Sequence, residues 1–421
     1  MNERSVSVNG ISIYSLTNPN LRSFCLSLYV RAGSIFEDLS NNGISHLFEH
    51  VVFRNIKNKY ENFYELLAMH GLCFQGSTYK KFVSFTIDGP QHEFDFAIEI
   101  LCGLFDEIKL TSHDFNNEKG RIKAEIREKD RRSSLDFYFD SIVWKNSEVE
   151  KIVLGYCKTV DRVSVKKINE FRQKVLSAGN CFIYATGNIS DKNLDALNKK
   201  ISELDISQSN PGFTNTVTVN NDFFHREKKI WIKNNYWHYI QIGFDVDCSK
   251  YSGGVYDLLY ALLFNGDKAL VYNYLSEDNP IIYSYDSTFE QYDNVGNINF
   301  SFEVDRNKIE DVFKTVVELL NAAKDGRFNF EANLNYEMFN WELDLDNPDN
   351  LNWNMAYYNH ILKTQPIDYS DEFYGRFRVT KEQIIDAAKY IFRRCNMTVA
   401  VKGDRKKINA EAIEKILESL D

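Results

Sequence analysis

The stretch GISHLFEHVVF, residues 43–53, contains two histidines and a glutamate in the order H-x-x-E-H. At about 100° per residue, His46, Glu49 and His50 cluster on one face of a helix. The opposite face carries apolar residues at i, i+3, i+4, i+7 and i+8, the stripe of a helix packed on a core: Ile44, Leu47, Phe48, Val51 and Val52. The stretch therefore predicts a helix that buries one side and presents two imidazoles and a carboxylate, pointing away from that core.

A second charged segment supplies candidates for a third metal ligand. Two histidines one turn apart suit a tetrahedral cation, and a catalytic zinc site normally adds a third protein ligand and a water molecule. Residues 113–130, HDFNNEKGRIKAEIREKD, indicate a helix on which Glu118 and Glu125 share a face two turns apart. Glu128, one turn further on, is the rival third ligand. Two solvated histidines and an ordinary charged helix remain the open alternative.

The chain repeats itself. Residues 163–187 align without gaps on residues 379–403, and in each copy a Ser or Thr caps a helix, after which an Asn leads into a strand that ends at Gly. Residues 82–107 resemble residues 298–323 at nearly the same offset, and both indicate a strand followed by a helix. These matches predict a tandem duplication of an α/β unit, with a chance likeness of two α/β stretches as the alternative.

A polar connection separates the two copies. Residues 206–216, at the start of this connection, contain the turn signal Asn-Pro-Gly and have neither helical nor strand periodicity. Because roughly 100–200 residues form one domain, we predict an N-terminal domain over 1–205, a linker over 206–219 and a homologous domain over 220–421.

Composition excludes several classes of protein. The 421 residues are 43% hydrophobic with only 6 Pro and 20 Gly, which is typical of a globular chain. The formal net charge of −10 disfavours binding to nucleic acid and favours cationic partners. No apolar run approaches the length of a membrane span, so we expect a cytoplasmic protein that does not enter a membrane. The seven scattered cysteines are expected to be buried, reduced thiols.

The motif set resembles the pitrilysin, or inverzincin, family of zinc peptidases. The resemblance runs through residues 31–34, Glu37, Gly43, the H-x-x-E-H motif and Phe53. In this family a glutamate ligand follows the second histidine by about 75 residues, as Glu125 follows His50, and another glutamate precedes that ligand by seven residues. The resemblance implies an α+β fold, an α/β sandwich of two homologous domains, each a mostly antiparallel sheet covered by helices.

The resemblance also implies a role for each residue of the motif. It assigns one Zn²⁺ per chain to His46, His50 and Glu125, the general base to Glu49, and a steadying role to Glu118, which does not bind the metal. Physical chemistry supports these roles, because neutral imidazoles and one carboxylate leave the cation net positive and able to acidify water.

Family members bind substrate as an added strand at a sheet edge soon after the metal helix. The corresponding residues are Phe74, Gln75, Gly76 and Ser77, of which Gln75 and Gly76 replace an Asn and an Ala of the family pattern. Because an added strand binds through its backbone, main-chain pairing survives such replacements.

The second half departs further from the family. Family members have an Arg and a Tyr seven residues apart that help to hold substrate and to stabilise the developing oxyanion. The resemblance implies this catalytic role for Tyr283, whereas Ser276 occupies the place of the arginine. A tyrosine packed on a strand is the alternative interpretation of Tyr283. The second half has no H-x-x-E-H, and Met338 falls opposite Glu125, so we expect a single metal site.

These features together predict a zinc endopeptidase that cuts short or unfolded peptides. Its predicted role is the maturation of a precursor or leader peptide. The missing arginine favours a heterodimer in which a homologous half-size subunit supplies the Arg and Tyr, with a homodimer as second choice. The alternatives are a noncatalytic structural or binding subunit of the same fold and a freestanding homodimeric peptidase that scavenges peptides.

Overall fold

The structure is a computed structural model that describes residues 3–129, 134–213, 217–227, 229–362 and 378–420. The chain forms two compact units. The first comprises residues 1–129, 148–214 and 343–361, and the second comprises residues 130–147, 215–342 and 362–421.

The first unit contains a six-stranded sheet in the order β1-β2-β6-β3-β5-β4. All neighbouring strands are antiparallel except β2 and β6, which are parallel. The strands are β1 (Arg4–Val8), β2 (Ile11–Thr17), β3 (Ser23–Val30), β4 (Cys73–Thr78), β5 (Val83–Pro90) and β6 (Cys181–Gly187). β4 has a partner on one side only, so its other edge is free of strand pairing among the described residues.

Helices pack on this sheet and enclose one hydrophobic core. Those formed by the first half of the chain are α1 (Ile44–Lys57), α2 (Phe63–Met69), α3 (Phe94–Gly103), α4 (Ser112–Glu128), α6 (Cys157–Asp161), α7 (Val165–Val175) and α8 (Asp191–Ser202). The apolar stripe predicted for α1 is buried as expected, each of its residues being at most 2% exposed.

The second unit contains a five-stranded sheet in the order β7-β11-β8-β10-β9, in which only β7 and β11 are parallel. Its strands are β7 (Ile230–Asn234), β8 (Tyr239–Asp247), β9 (Asp286–Tyr292), β10 (Val295–Glu303) and β11 (Met397–Gly403). Its helices are α5 (Leu135–Val143), α9 (Gly253–Phe264), α10 (Leu270–Tyr272), α11 (Ile309–Lys324), α12 (Phe330–Asp344), α14 (Lys381–Ile391) and α15 (Ala410–Leu417). These elements enclose a second core.

The two sheets repeat one plan, which confirms the predicted α+β fold of two homologous halves. Strands β2-β6-β3-β5-β4 occur in the same order as β7-β11-β8-β10-β9, with the parallel pair in the same place. Asn180 and Asn396, which align in the sequence repeat, make equivalent bonds. Each side-chain amide donates to the carbonyl of Val175 or Ile391, near the end of the preceding helix, and to a second main-chain carbonyl across the unit.

Each half also contributes a short helix to the unit formed mainly by the other half. α5 packs on β8 and β11, and α13 (Pro348–Met355) packs on β3 and β6. Asn352 on α13 is 1% exposed, donates to the carbonyl oxygens of Cys25 and Tyr184, and accepts from the Tyr29 hydroxyl. The sequence prediction did not include this exchange, and its domain boundaries stay a prediction.

The structure also tests what the sequence predicted for the cysteines and for membrane-spanning helices. All seven cysteines are free thiols, but only Cys25, Cys181 and Cys248 are buried, and Cys73 is exposed on β4. The expectation that all the thiols are buried was therefore wrong. The spacing of cysteines along the sequence indicates whether they can pair and does not indicate how deeply they are buried. Among the described residues, every helix is too short or too polar to cross a bilayer.

Candidate metal centre

The first turn of α1 is fixed by a carboxylate from outside the helix. Glu37, 4% exposed, accepts hydrogen bonds from the backbone N–H groups of Gly43 and Ser45 at 2.7 and 2.8 Å and from the Asn42 amide at 2.8 Å. Gly43 itself has a φ of 95°, and a Cβ there would lie 2.7 Å from the backbone of Gly155. A buried anion at a helix N-terminus satisfies its unpaired donors and opposes its dipole. The histidine-bearing helix therefore begins in a defined position.

The polar face of α1 is covered by protein. The structure places His46, Glu49 and His50 on one face, as predicted, but His46 is only 6% exposed, and the side chains of Glu49 and His50 are 13% and 23% exposed. α4 and β4 pack against this helix. The polar face of α1 does point away from the apolar stripe and the core beneath it, as predicted. It is nevertheless covered, because α4 and β4 of the same unit lie over it.

Three candidate ligands meet between α1 and α4. One ligand atom from each of His46, His50 and Glu125 lies within 4.8 Å of the other two. His46 Nε2 is 3.5 Å from Glu125 Oε2 and 4.0 Å from Glu49 Oε2. Among the described residues, no other three such side chains meet in this way, and the exposed Glu128 is not part of this group. Two imidazoles and one carboxylate are a donor set that catalytic zinc sites use.

Glu118 lies behind the cluster, and its side chain is 3% exposed. Its Oε2 is 3.6 Å from His50 Nδ1, while its Oε1 is 3.2 Å from Arg121 Nη1 and 3.9 Å from Arg54 Nε. Arg54 in turn donates to Asp114 at 2.6 Å. Glu118 can therefore hold the Nδ1 proton of His50 and leave Nε2 free for a metal ion, the arrangement in which outer carboxylates orient histidine ligands.

Burial and charge set the protonation of the cluster. Burial, with smaller effects of His50 and Lys129, lowers the pKa of His46 to about 3, so this imidazole is neutral near pH 7. Burial also lowers the pKa of His50, but Glu118 and the other carboxylates outweigh it and leave the pKa raised. Burial raises the pKa of Glu49 above the usual value for a glutamate. A carboxyl with a raised pKa can both accept and return a proton near neutral pH.

Edge strand β4 runs directly beside Glu49. A Cβ on Gly76 would lie 2.7 Å from Glu49 Oε1, and the Thr78 hydroxyl donates to Glu49 Oε2 at 3.2 Å. Phe74 is 7% exposed and stacks on Phe53, with ring centroids 4.7 Å apart, so its side chain belongs to the core. Of the predicted substrate-binding residues, Gln75 is exposed and Ser77 is half-buried.

The residues singled out in the second half lie in the second unit. Tyr283 is 97% exposed in the segment before β9, so the packed-strand interpretation of this tyrosine was wrong. It lines a cleft of about 640 Å³ together with Trp237 and Arg306. Ser276 lies on the π-helical turn Asn273–Glu277.

Three features of this site were not predicted from the sequence. Glu37 caps the N-terminus of α1, Thr78 donates a hydrogen bond to Glu49, and the absence of a side chain at Gly76 leaves room for the Glu49 carboxyl. The sequence contained part of the information about the Glu37 cap. Gly43 occupies the capping position of α1 and has no side chain that could accept a hydrogen bond, so the acceptor must come from elsewhere.

Two models of one peptidase family match the chain in succession. The model described as insulinase (peptidase family M16) matches residues 13–155, and the model described as peptidase M16 inactive domain matches residues 162–332. The chain belongs to the peptidase M16 family. The resemblance drawn from the motifs is thereby confirmed, and the candidate ligands all lie in the part that the insulinase model matches.

Known M16 relatives agree with this assignment. An uncharacterized zinc protease of Bacillus subtilis, YmxG, is 21% identical over 332 residues, which cover 77% of this chain and 79% of that protein. The beta subunit of the mitochondrial-processing peptidase of Saccharomyces cerevisiae is 23% identical over 190 residues, but the match spans only 41% of its length. A solved protease structure from Helicobacter pylori has a TM-score of 0.82 at 18% identity, covering 95% of this chain and 99% of that one. The structural likeness shows the fold, and the relatives' names support a metallopeptidase in general.

Proposed function

We propose that this M16 chain is a zinc endopeptidase that hydrolyses short or unfolded peptides. The observation that carries the proposal is the meeting of His46, His50 and Glu125 within 4.8 Å, with Glu49 on the same helix as both histidines. The donor set fits zinc, because His46 is neutral when buried and Glu125 supplies one negative charge. We assign one Zn²⁺ per chain to these three residues.

The chain's own residues divide the chemistry among them. Zn²⁺ held by such a set lowers the pKa of water and polarises a carbonyl oxygen. Glu49 acts as the general base: it takes a proton from the attacking water and returns it to the departing amine. Thr78 donates to Glu49 Oε2 and holds that carboxyl in one orientation. Glu118 fixes the orientation of His50 without binding the metal.

Substrate binds in this proposal as a strand added to β4. The backbone of Phe74, Gln75, Gly76 and Ser77 pairs with an extended peptide, since main-chain hydrogen bonds at a free sheet edge supply affinity with little dependence on side chains. Gly76 brings that backbone against Glu49. An edge strand of this kind accepts extended chains, which is why the proposed substrates are short or unfolded. Maturation of a precursor or leader peptide in the cytoplasm is the role we assign.

A second chain completes the enzyme in this proposal. Ser276 replaces the family arginine, and Tyr283 is almost fully exposed. Losing one donor to a developing oxyanion commonly lowers the rate by about 10²–10³. We therefore assign a homologous half-size subunit to supply an Arg and a Tyr, with a homodimer as the second arrangement. The relative in yeast is itself named as a subunit.

Zinc content and peptide cleavage test the assignment together. His46→Ala, His50→Ala and Glu125→Ala should each lose zinc, whereas Glu49→Gln should retain zinc and lose cleavage. His113→Ala is the matched control, because His113 is an exposed histidine on α4 outside the cluster. Cleavage of unstructured peptides is measured for the chain alone and with a homologous half-size protein added.

The results separate the alternatives. Near wild-type cleavage by Glu49→Gln would refute the mechanism. A zinc-loaded chain that cuts no peptide, alone or with the added protein, would instead support a noncatalytic subunit. Full activity from the chain alone would remove the need for a second subunit.

A further inference from the structure

A cavity of about 230 Å³ opens beside Glu49 in the first unit. Besides the site residues described above, its walls are Phe53, Arg54, Lys57, Tyr64 and Arg121. We refer to this cavity as the Lys57 pocket. Its position next to the general base makes it the place where a substrate side chain near the scissile bond would lie.

The pleat of β4 directs peptide side chains into this pocket. Phe74, Gly76 and Thr78 all face α1, as their contacts with Phe53 and Glu49 show. Side chains alternate between the two faces of a sheet. A peptide paired with the free edge of β4 therefore places every second side chain on the face that carries the Lys57 pocket.

The pocket is lined by three cationic side chains and by the carboxyls of Glu49 and Glu118, and the three cations differ in how they are paired. Arg54 is paired with Asp114 at 2.6 Å. Arg121 lies 3.2 Å from Glu118, which also contacts the His50 imidazole. Lys57 differs from both. Its ammonium lies 4.4 Å from the Tyr64 ring centroid, and within the described ranges no carboxylate lies at ion-pair distance from it.

Each aromatic ring of the pocket already has a partner on one face. Phe53 stacks on Phe74 with an interplanar angle of 7°, and the Lys57 ammonium lies over the Tyr64 ring. A purely apolar side chain would have to displace the half-buried ammonium or cover it without supplying a counter-ion, and covering an unpaired charge is costly. A carboxylate would instead pair with Lys57 while its methylene groups contact the exposed ring edges.

We propose that the Lys57 pocket selects peptides with an Asp or Glu side chain next to the scissile bond. This inference rests on the proposed peptidase function, because it takes β4 as the substrate strand. It differs from what net charge suggests, since a chain with a net charge of −10 would be expected to prefer basic peptides.

Two measurements on the full chain test the proposal. In the first, a fluorescent, neutral, unstructured peptide is scanned with Glu, Gln, Lys or Leu at successive positions, and binding is followed by anisotropy with zinc chelated so that nothing is cut. In the second, the zinc-loaded chain cleaves the same peptides and kcat/KM is measured. A partly exposed ion pair predicts that Glu exceeds Gln by about fivefold to tenfold at one position in each assay.

Variants identify the residue responsible. Lys57→Gln should abolish the difference between Glu and Gln, and Lys57→Glu should invert it in favour of Lys. Lys166→Gln is the matched control, because it removes a lysine that is exposed on α7 of the same unit. Its preference should equal that of the wild-type chain.

The outcomes are distinguishable from failure of the proposed function. Equal binding of the Glu and Gln peptides, a preference for Leu, or a Glu preference that survives Lys57→Gln would overturn the inference even if the chain is an active peptidase. Lys57-dependent binding of Glu peptides without any cleavage would support the pocket and count against the peptidase.

Discussion

Glu118→Gln should weaken zinc binding without removing a ligand. The glutamine keeps the size of the side chain and one carbonyl oxygen, but it loses the negative charge that faces His50 Nδ1 at 3.6 Å. Replacing such an outer partner typically lowers metal affinity by about 10- to 100-fold, which corresponds to about 1.4–2.8 kcal/mol of binding free energy. Because this carboxylate is 3% exposed, solvent screening cannot hide the change.

The assay is a competition titration of zinc against a chromophoric chelator near neutral pH. Glu125→Gln, which alters a proposed ligand, should lose more affinity than Glu118→Gln, and Glu128→Gln should keep wild-type affinity because Glu128 is exposed outside the cluster. Thermal unfolding of the zinc-free proteins shows whether a loss of affinity merely follows from unfolding. Wild-type affinity in Glu118→Gln would refute the orienting role, and a large loss in Glu128→Gln would make Glu128 the third ligand.

Three further substitutions have expected outcomes. Gly76→Ala places a Cβ 2.7 Å from Glu49 Oε1, so kcat should fall by about 10- to 100-fold while zinc affinity is unchanged; wild-type turnover would mean that the glutamate adapts. In Glu37→Gln, an amide that can itself donate faces the three N–H donors that bind the Glu37 carboxylate. The free energy of unfolding measured in urea should therefore fall by about 1–3 kcal/mol. Asn180→Ala and Asn396→Ala should each lose about 1–3 kcal/mol by the same measurement, and a loss at only one position would contradict their equivalence in the repeat.

The local parts of the fold could be predicted because they depend on short-range periodicity. The spacing of apolar residues in 43–53 determines which side of α1 enters the core, and the same arithmetic places His46 and His50 one turn apart. The repeat between residues 163–187 and 379–403 was equally informative, since a cap, a helical stripe and a strand each leave a pattern within a few residues. Both sheets then follow one strand order.

The remaining features depend on contacts between residues far apart in the chain. Glu37 caps a helix that begins seven positions later, but nothing in its immediate sequence shows that its carboxylate turns toward that helix. The exchange of α5 and α13 between the two halves of the chain cannot be predicted from the sequences of these helices. An amphipathic stripe indicates that a helix is buried but does not indicate on which sheet it packs. Tyr283 was ambiguous for the same reason, as exposure of a tyrosine is decided by its neighbours in space.

Charge illustrates how far a sequence average can differ from a site. Charges separated by more than about 10 Å of solvent are largely screened at moderate salt, so most of the residues behind the net charge of −10 contribute little to binding beside Glu49. Lys57 and Arg121 come from different helices and meet at one cavity only in the folded chain. Arg121 is paired there with Glu118, whereas Lys57 lies over the Tyr64 ring. Selectivity at that position therefore follows the surroundings of Lys57 and not the net charge, and an acidic chain can prefer an acidic peptide.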